Sequence, residues 1–431
     1  MDRSRRRSSW SALATRVLPA AISLALVVVV TACAASTERV GAPSPTTTGA
    51  PTSASSPPTT TSSSTSSPAG PSSPTTTTVP DRSPLVATAV SAGEYFSCAL
   101  VAGGAARCWG FNVNGQLGNN SHDTTNAPVD VVGLAGATAI NASVSRACAL
   151  LAGGAVQCWG DAFRGEPGSA PPTGNAGLVE GVSGATTITS GKYSACALVA
   201  GGRAKCWGED VISPPAPGVN PDAARDVAGI VGATGISAGQ YHTCVLLTGG
   251  TVQCWGDNTI GQLGNGTTTR SETPVPVVGL SGVTAIAAGG FHTCAIVGDR
   301  TVRCWGWNDN GQLGDGTTTS ATVPVAVDGL TDVVGISAGP FRTCAVLASG
   351  RARCWGENYR GELGDGTNKD SARPRDVLNL AGVASISAGD FHTCALLTDG
   401  GVKCWGRNVL GGLGTGDNTD SNFPVDVIAH A

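Results

Sequence analysis

The sequence predicts an all-β repeat domain, and three observations support this fold class. A cysteine recurs at steps of 48 or 50 residues, and each copy is followed ten residues later by a second cysteine in a Cys-Trp-Gly triplet. A fixed period of about 50 residues is typical of a propeller or solenoid built from one supersecondary unit per repeat. The 61 glycines and the charged fraction of only 13% favour short strands and tight turns over helices.

The copy around Cys244 shows the elements of one repeat. Four β-rich runs between residues 233 and 278 are separated by glycine-rich turns, and the two central runs flank a Thr-Gly-Gly sequence. This pattern predicts a tight hairpin between the central strands. Cys244 and Cys254 are equidistant from the middle of that turn. They should therefore face each other with Cα atoms ~4.5–5.5 Å apart, within reach of a disulfide.

The N-terminus has the pattern of an export signal. Five arginines precede an apolar run from Val17 to Val30, which is broken by Pro19 and is shorter than the ~20 residues of a membrane span. The run ends in Val30-Thr-Ala-Cys33, which resembles the lipobox of bacterial lipoproteins. The resemblance implies a signal peptide over residues 1–32 and a lipid on Cys33. An ordinary signal peptide with an incidental cysteine is the alternative.

Residues 33–83 are dominated by proline, serine and threonine. Because so few apolar side chains cannot offset the entropy of ordering, we predict a disordered tether in front of a domain at residues 84–431. Residues 1–32 hold five arginines and one aspartate, so the rest of the chain carries 21 basic and 29 acidic residues, a net charge of −8. An acidic surface with only four lysines argues against a nucleic-acid partner.

The paired cysteines predict one disulfide in each repeat. An export signal places them in an oxidising compartment, where paired cysteines are normally bridged. Unbridged core cysteines and a metal site are the alternatives, although the spacing matches no common zinc pattern. The predicted pairs are Cys98–Cys108, Cys148–Cys158, Cys196–Cys206, Cys244–Cys254, Cys294–Cys304, Cys344–Cys354 and Cys394–Cys404.

Two further features of the repeat indicate scaffold rather than chemistry. A tryptophan at the same place in seven copies favours packing between repeats over ligand binding. The loop that begins at Asn308 resembles a calcium loop, but Gly306 and Thr317 stand where its first and last carboxylates would be. We therefore expect its asparagines and glycines to set left-handed turns. The seven tryptophans are Trp109, Trp159, Trp207, Trp255, Trp305, Trp355 and Trp405.

Three runs recur together along the chain. They are Ser387-Ala-Gly-Asp-Phe-His-Thr-Cys-Ala-Leu, then Cys404-Trp-Gly-Arg-Asn, and Gly-Gln-Leu-Gly at residues 261–264 and 311–314. Over residues 85–427 the chain resembles the RCC1-repeat family, and the resemblance implies a seven-bladed β-propeller. The domain opens with an inner-strand run and ends with the run that otherwise precedes it, Pro424-Val-Asp-Val-Ile. We therefore expect the last strand to complete the first blade.

The resemblance also implies a binding rim. The secreted bacterial β-lactamase-inhibiting propeller of this repeat class has a similar Gly-x-aromatic-His-Ser run, and the positions before its histidine would lie on one rim of the ring. Aromatic side chains there would serve as binding anchors, with burial beneath the loops as the alternative. In this chain the positions are Glu94, Tyr95, Lys192, Tyr193, Gln240, Tyr241, Phe291, Phe341, Asp390 and Phe391.

The second and third repeats depart from the pattern. Both lack Gly-Gln-Leu-Gly and carry proline-rich loops, at Glu166–Gly177 and Val211–Pro221, and the second has Ser145 in place of the aromatic residue. Either these repeats have drifted or they carry partner specificity.

No catalytic motif, phosphate loop or histidine-rich metal cluster occurs in the sequence. The three histidines of the repeat hold a position that Phe96, Arg146, Ser194 and Arg342 fill elsewhere, which argues for structure. We predict a monomeric, non-enzymatic module without cofactor or metal, touching the membrane only through its lipid, that recognises a protein or glycan outside the cytoplasm. Inhibition of a β-lactamase or penicillin-binding enzyme, and a structural role in the cell envelope, are the alternatives. The nucleotide-exchange activity of the founding family member is not expected in an exported acidic chain.

Overall fold

The structure is a computed structural model, and it describes residues 82–161, 173–208 and 223–429. In these residues 28 strands form seven four-stranded antiparallel sheets, which are the blades of a β-propeller. The predicted signal peptide, Cys33, nearly all of the tether and the loop Val211–Pro221 lie outside the described residues. No helix in the described ranges is long and apolar enough to cross a membrane.

The blades follow one another along the chain. Blade 1 holds β1 (Ala89–Ala92), β2 (Phe96–Leu100), β3 (Ala106–Gly110) and β4 (Thr125–Asp130), with a 3-10 turn at Ala102–Gly104. Blade 2 holds β5 (Ala137–Ala142), β6 (Arg146–Leu151), β7 (Val156–Gly160) and β8 (Thr173–Leu178). Blade 3 holds β9 (Ala185–Ser190), β10 (Ser194–Val199), β11 (Arg203–Gly208) and β12 (Arg225–Asp226). Blade 4 holds β13 (Ala233–Ala238), β14 (His242–Leu247), β15 (Thr251–Gly256) and β16 (Ser271–Pro276). Blade 5 holds β17 (Val283–Ala288), β18 (His292–Val297), β19 (Val302–Gly306) and β20 (Ala321–Ala326). Blade 6 holds β21 (Val333–Ala338), β22 (Arg342–Leu347), β23 (Ala352–Gly356) and β24 (Ser371–Asp376). Blade 7 holds β25 (Val383–Ala388), β26 (His392–Leu397), β27 (Val402–Gly406) and β28 (Ser421–Asp426).

The repeat unit is confirmed in blade 4. Strands β14 and β15 form the predicted hairpin, and Gly249 and Gly250 in its turn have φ angles of 94° and 78°, which glycine adopts without strain. The last residues of the proline-rich loop predicted at Glu166–Gly177 belong to strand β8, and the rest of that loop lies outside the described residues. Pairing with β7 draws that segment into the blade.

The hydrophobic core lies between blades rather than inside them. One cluster joins Leu246 and Leu263 of blade 4 to Trp305 of blade 5, and six similar clusters join the other neighbours. A four-stranded sheet cannot cover both of its own faces, so each blade buries its apolar residues against the next. Stability therefore depends on the complete ring.

The first strands line the axis of the ring, where seven sheets converge. They end in Ala-Gly in five blades, in Ala-Ser in blade 2 and in Ser-Gly in blade 3. A Cβ atom added at Gly239 would collide with the Gly289 carbonyl oxygen of the next blade, so only glycine allows this approach.

The predicted closure of the ring is wrong. Strand β28 pairs with β27, so the last strand completes blade 7 and not blade 1. The ring closes by contact between β1 and β25, and by a short N-terminal extension in which the Leu85 amide donates to the Val427 carbonyl at 2.7 Å. Each blade is contiguous in sequence, so closure needs packing between the first and last blades but no exchanged strand.

Candidate functional site

The seven predicted disulfides are all present. Each joins residues that are directly opposite in the register of the second and third strands, as Cys244 and Cys254 are. The Cα atoms of that pair lie 4.1 Å apart, slightly closer than expected. The bridged cysteines lie in the core, so they stabilise the blades, and every cysteine in the described part of the chain is bridged.

The tryptophans pack between blades, as predicted. The Trp305 indole N–H donates to the Gln262 main-chain oxygen of the preceding blade at 3.0 Å. Gly264 lies against the same ring, and a Cβ atom there would be 2.6 Å from the indole nitrogen. The same bond to the preceding blade is made by Trp109, Trp159, Trp355 and Trp405.

The repeated histidines are buried between blades. The Thr343 hydroxyl donates to the Gln312 carbonyl at 2.9 Å, so it can only accept from His292 Nε2, 2.8 Å away. This assigns the ring hydrogen to Nε2 and leaves Nδ1 without a partner in the described residues. Burial lowers the pKa of His292 to about 3. Equivalent contacts join His242 to Thr293 and His392 to Ser97.

The Asn308 side chain makes hydrogen bonds within its own loop. It is buried; the amide nitrogen donates to the Thr317 and Thr319 carbonyls at 3.2 and 3.1 Å, and the amide oxygen accepts from the Leu313 amide. The predicted left-handed turns belong to the glycines, such as Gly311 with φ 79°, and not to Asn308. Among the described residues no group of three or more His, Cys, Asp or Glu side chains is placed to hold a metal ion.

One face of the ring carries three rows of residues that follow the blades around the channel. The mouth row precedes the aromatic position: Glu94, Val144, Lys192, Gln240, Gly290, Pro340 and Asp390. The aromatic row comes next: Tyr95, Ser145, Tyr193, Tyr241, Phe291, Phe341 and Phe391. The outer row follows the Cys-Trp-Gly triplet, and its amides donate to carbonyls of the aromatic row: Phe111, Asp161, Asp257, Trp307, Glu357 and Arg407.

The aromatic row forms a continuous arc over blades 3 to 6. Successive ring centroids lie 5.4 Å apart for Tyr193–Tyr241 and 4.6 Å for Tyr241–Phe291. Trp307 then bridges Phe291 to Phe341 at 6.0 and 5.7 Å. All five side chains are half-buried, so each packs against its neighbour and still presents a surface to solvent. They are neither buried under loops nor fully exposed.

A second aromatic group lies at the join of blades 7 and 1. Tyr95 stacks on Phe391 with centroids 4.5 Å apart and meets the edge of Phe111 at 6.3 Å. The Arg407 guanidinium lies 5.5 and 5.4 Å from the Tyr95 and Phe391 centroids, which is cation–π geometry. Ser145 interrupts the row in blade 2, so the rim is not symmetric.

The outer row was not predicted from the sequence. The rim is completed by Trp307, Phe111 and Arg407. Each directly follows a Cys-Trp-Gly triplet, which the sequence pattern assigns to the structural framework. The available signal was variability, because this position changes from copy to copy inside an otherwise constant run. A position that varies within a repeat is where recognition is expected.

Every member of the mouth row except Glu94 lines a cavity of about 80 Å³ at the end of the channel, with Lys192, Gln240 and Asp390 as its charged and amide side chains. The Gln240 amide nitrogen donates to Asp390 Oδ2 at 2.9 Å, across the mouth from blade 4 to blade 7. Burial raises the pKa of the Asp390 carboxyl to about 7, and the neighbouring Glu94 carboxylate adds to the shift. Burial also raises the pKa of Glu94. The predicted polar residues therefore come together, inside the aromatic row.

Two sequence profiles described as Regulator of chromosome condensation (RCC1) repeat match the chain. One matches residues 87–116, 233–262, 283–312, 333–362 and 383–411, and the other matches 104–150, 249–296, 301–346 and 349–396. Together the matches span more than half of the 431 residues. No curated protein sequence matches significantly.

Solved structures share the fold at low sequence identity. Prp20p from Saccharomyces cerevisiae, described together with its binding to Gsp1p and histones, is 19% identical with a TM-score of 0.64, over 79% of this chain and 87% of its own. Human WBSCR16 is 20% identical with a TM-score of 0.64, over 74% of this chain and 93% of its own. Such identities support the fold and carry no activity. By its repeats and its fold, the chain belongs to the RCC1-repeat family of seven-bladed β-propellers.

Proposed function

We propose that this protein is a non-enzymatic binding module, held at the cell envelope by a lipid on Cys33, that engages a protein or glycan with the aromatic face of its ring. One observation supports the proposal above the others. On that face the aromatic arc stays half-exposed, whereas the repeated cysteines, tryptophans and histidines are committed to contacts between strands and blades. Large, rigid aromatic side chains in a partly desolvated setting are typical anchors of binding interfaces.

The disulfides support a location outside the cytoplasm. Cytoplasmic thiols are kept reduced, whereas seven bridges in one domain require an oxidising compartment. The acidic balance of the chain agrees with a partner other than nucleic acid. The propeller would then be a rigid display platform, because its blades are stapled and its loops return to the same face.

Crosslinking capture tests the proposal. Residues 34–431 would be used as bait on envelope fractions, beside the double variant Tyr241→Ala with Phe291→Ala. Phe423→Ala is the matched control, since Phe423 is a partly exposed aromatic residue on the outermost strand β28. We expect the wild type and the control to capture the same partner and the double variant to lose it by roughly 30-fold or more, as for a hot-spot pair. Equal capture by the double variant would exclude the aromatic arc as the binding surface.

A narrower form of the proposal is inhibition of a β-lactamase or a penicillin-binding enzyme. The aromatic arc supports it, because such a rim can cover the mouth of an enzyme's substrate cleft. Hydrolysis of a chromogenic β-lactam would be measured with the propeller in micromolar excess. Unchanged hydrolysis by every enzyme of the source envelope would remove this form and leave the broader proposal standing. A purely structural envelope role would gain support if no partner were captured by a folded bait.

A further inference from the structure

One position in the wall of the channel differs in a single blade. The residue that ends the first strand is alanine in six blades, and it is Ser190 in blade 3. Ser190 is only 8% exposed, and its hydroxyl has no hydrogen-bond partner in the described residues. It lines the same cavity as Gln240 and Asp390. A buried hydroxyl without a partner costs free energy that alanine would avoid, which indicates that something entering the cavity bonds to it.

Acceptors of hydrogen bonds are also present at this end of the channel. Gln240 donates one N–H to Asp390, and its amide oxygen can only accept. The Glu94 carboxylate raises the pKa of the Asp390 carboxyl. The Arg342 guanidinium, which is buried nearby, donates to the main-chain oxygen of Asp390 at 3.0 Å rather than to its carboxylate. The Gln240 amide oxygen and the Asp390 carboxyl are therefore side-chain acceptors that the cavity offers.

The one cation of the mouth row is drawn to the aromatic row. The Lys192 ammonium lies 5.3 Å from the centroid of Tyr193 and 5.8 Å from that of Tyr241. The charged groups around Asp390 are thus Glu94, Lys192 and Arg342, with Gln240 as its hydrogen-bond donor. The two cations are also held by other contacts, Arg342 by main-chain oxygens and Lys192 by the two tyrosine rings.

We infer that Ser190, Gln240 and Asp390, here called the mouth cluster, bind a primary ammonium group supplied by a lysine side chain of a partner protein. An ammonium is a compact charge with three donors and no acceptor, which matches a carboxyl, an amide oxygen and a hydroxyl. The inference rests on the proposed function, since the partner would cover the aromatic row while its lysine enters the channel.

The geometry favours lysine over an amino sugar. The cavity lies at the axis of the ring, inside the aromatic row, and none of the aromatic side chains lines it. A four-carbon apolar stem can reach from a partner seated on the aromatic row to the cavity and carry the charge at its end. The amine of a sugar is attached directly to a polar ring and has no such stem.

Proton linkage supplies a signature of this binding mode. Because the Asp390 carboxyl has a pKa of about 7, it is partly protonated at neutral pH, and an arriving ammonium would displace that proton. Binding should release protons near pH 7 and weaken as the pH falls, by roughly tenfold per unit well below the pKa. Neutral ligands would show neither effect.

Calorimetry with small probes tests the inference on residues 34–431. The probe is Nα-acetyl-lysine amide, with Nα-acetyl-norleucine amide as its match without the ammonium, and glucosamine as the amino sugar. We expect saturable binding of the lysine probe, with a heat that changes with the ionisation enthalpy of the buffer, and binding of norleucine weaker by roughly tenfold or more. Equal binding of the two amides, no binding of the lysine probe, or tighter binding of glucosamine would overturn the inference.

Variants separate the mouth cluster from the rim. Asp390→Asn should weaken the lysine probe by roughly tenfold and abolish proton release, and Ser190→Ala, which restores the alanine of the other blades, should weaken it several-fold. Phe423→Ala, on the outermost strand β28 and not in the lining of the cavity, is the control. If capture through the aromatic arc is confirmed and the lysine probe does not bind, only this inference fails. If the probe binds and the rim variants still capture the partner, only the proposed binding surface fails.

Discussion

Acid should lower the stability of the ring at the contact between blades 5 and 6, which the buried His292 makes with Thr343. His292 is neutral in the folded protein because burial lowers its pKa to about 3, from an ordinary value of 6.5. As the pH falls below 6.5, the unfolded chain takes up a proton that the folded protein does not. The stabilisation is therefore complete above pH 6.5 and is lost progressively toward pH 3.

The size of the effect follows from the shift. Each pH unit within this window changes the free energy of unfolding by about 1.4 kcal/mol per histidine, so His292 alone removes about 2.7 kcal/mol two units below its ordinary pKa, at roughly pH 4.5. His242 and His392, with pKa values lowered by burial to about 4 and about 3, act in the same direction. Asp390, whose pKa is raised to about 7, acts in the opposite direction. The comparison must therefore be made between variants.

A suitable variant can be taken from two other blades of the same ring. Blades 1 and 2 place Phe96 and Ala147 where blades 5 and 6 place His292 and Thr343, so the double change His292→Phe with Thr343→Ala copies a pair already in the ring. The Gln312 carbonyl still accepts a hydrogen bond from the Trp355 indole, so the double change leaves this buried oxygen with a partner.

Guanidinium unfolding of residues 34–431 with intact disulfides, followed by tryptophan fluorescence, measures the effect. Between pH 7.5 and roughly pH 4.5, the wild type should lose about 2.7 kcal/mol more stability than the double variant. Because His122 is exposed on a loop, His122→Gln is the control and should behave as the wild type. An equal loss in the wild type and the double variant would refute the assignment of a neutral, buried His292.

Three further predictions concern the scaffold and the anchor. Full reduction should raise the mass of the intact domain by about 14 Da, measured by mass spectrometry under denaturing conditions, because each bridge takes up two hydrogens. Gly264→Ala should lower the free energy of unfolding by about 1–3 kcal/mol more than Gly279→Ala, since both glycines have φ near +67° but only at Gly264 does a Cβ meet the Trp305 ring. Cys33→Ala should move the protein from the membrane fraction to the soluble fraction, measured by fractionation, because the lipid would be missing.

Each of these has an outcome that contradicts it. An unchanged mass would mean that the cysteines are not bridged in the native protein. Equal costs for the two glycine variants would show that the Trp305 ring yields without loss. Continued membrane association after Cys33→Ala would place the anchor elsewhere in the chain.

The scaffold was predictable because its sequence pattern recurs in seven repeats. The spacing of Cys244 and Cys254 around a glycine turn defines a register, and the structure has that register in every blade. The repeat also predicted the packing of Trp305, since a residue needed at every junction recurs at every junction. The closure was mispredicted because order along the chain does not say whether the last strand is exchanged.

The site was only partly predictable, because its residues differ from one repeat to the next. Tyr241 and Phe291 were predicted from a family resemblance. Trp307, which links Phe291 to Phe341, was not predicted, because it follows a Cys-Trp-Gly triplet whose recurrence indicates a structural role. The approach of Gln240 to Asp390 could not be predicted either. These residues are 150 positions apart and meet only because the ring brings blade 4 opposite blade 7.

By itself, then, the sequence determined the strand order within a blade, the disulfides and the packing of the tryptophans between neighbouring blades. These depend on residues at fixed offsets, and local physical chemistry is enough to assign them. The tertiary structure alone decided how the ring closes, which side chains form the aromatic arc, and that Ser190, Gln240 and Asp390 share one cavity. Such groupings depend on the curvature of the whole ring, which no single repeat encodes.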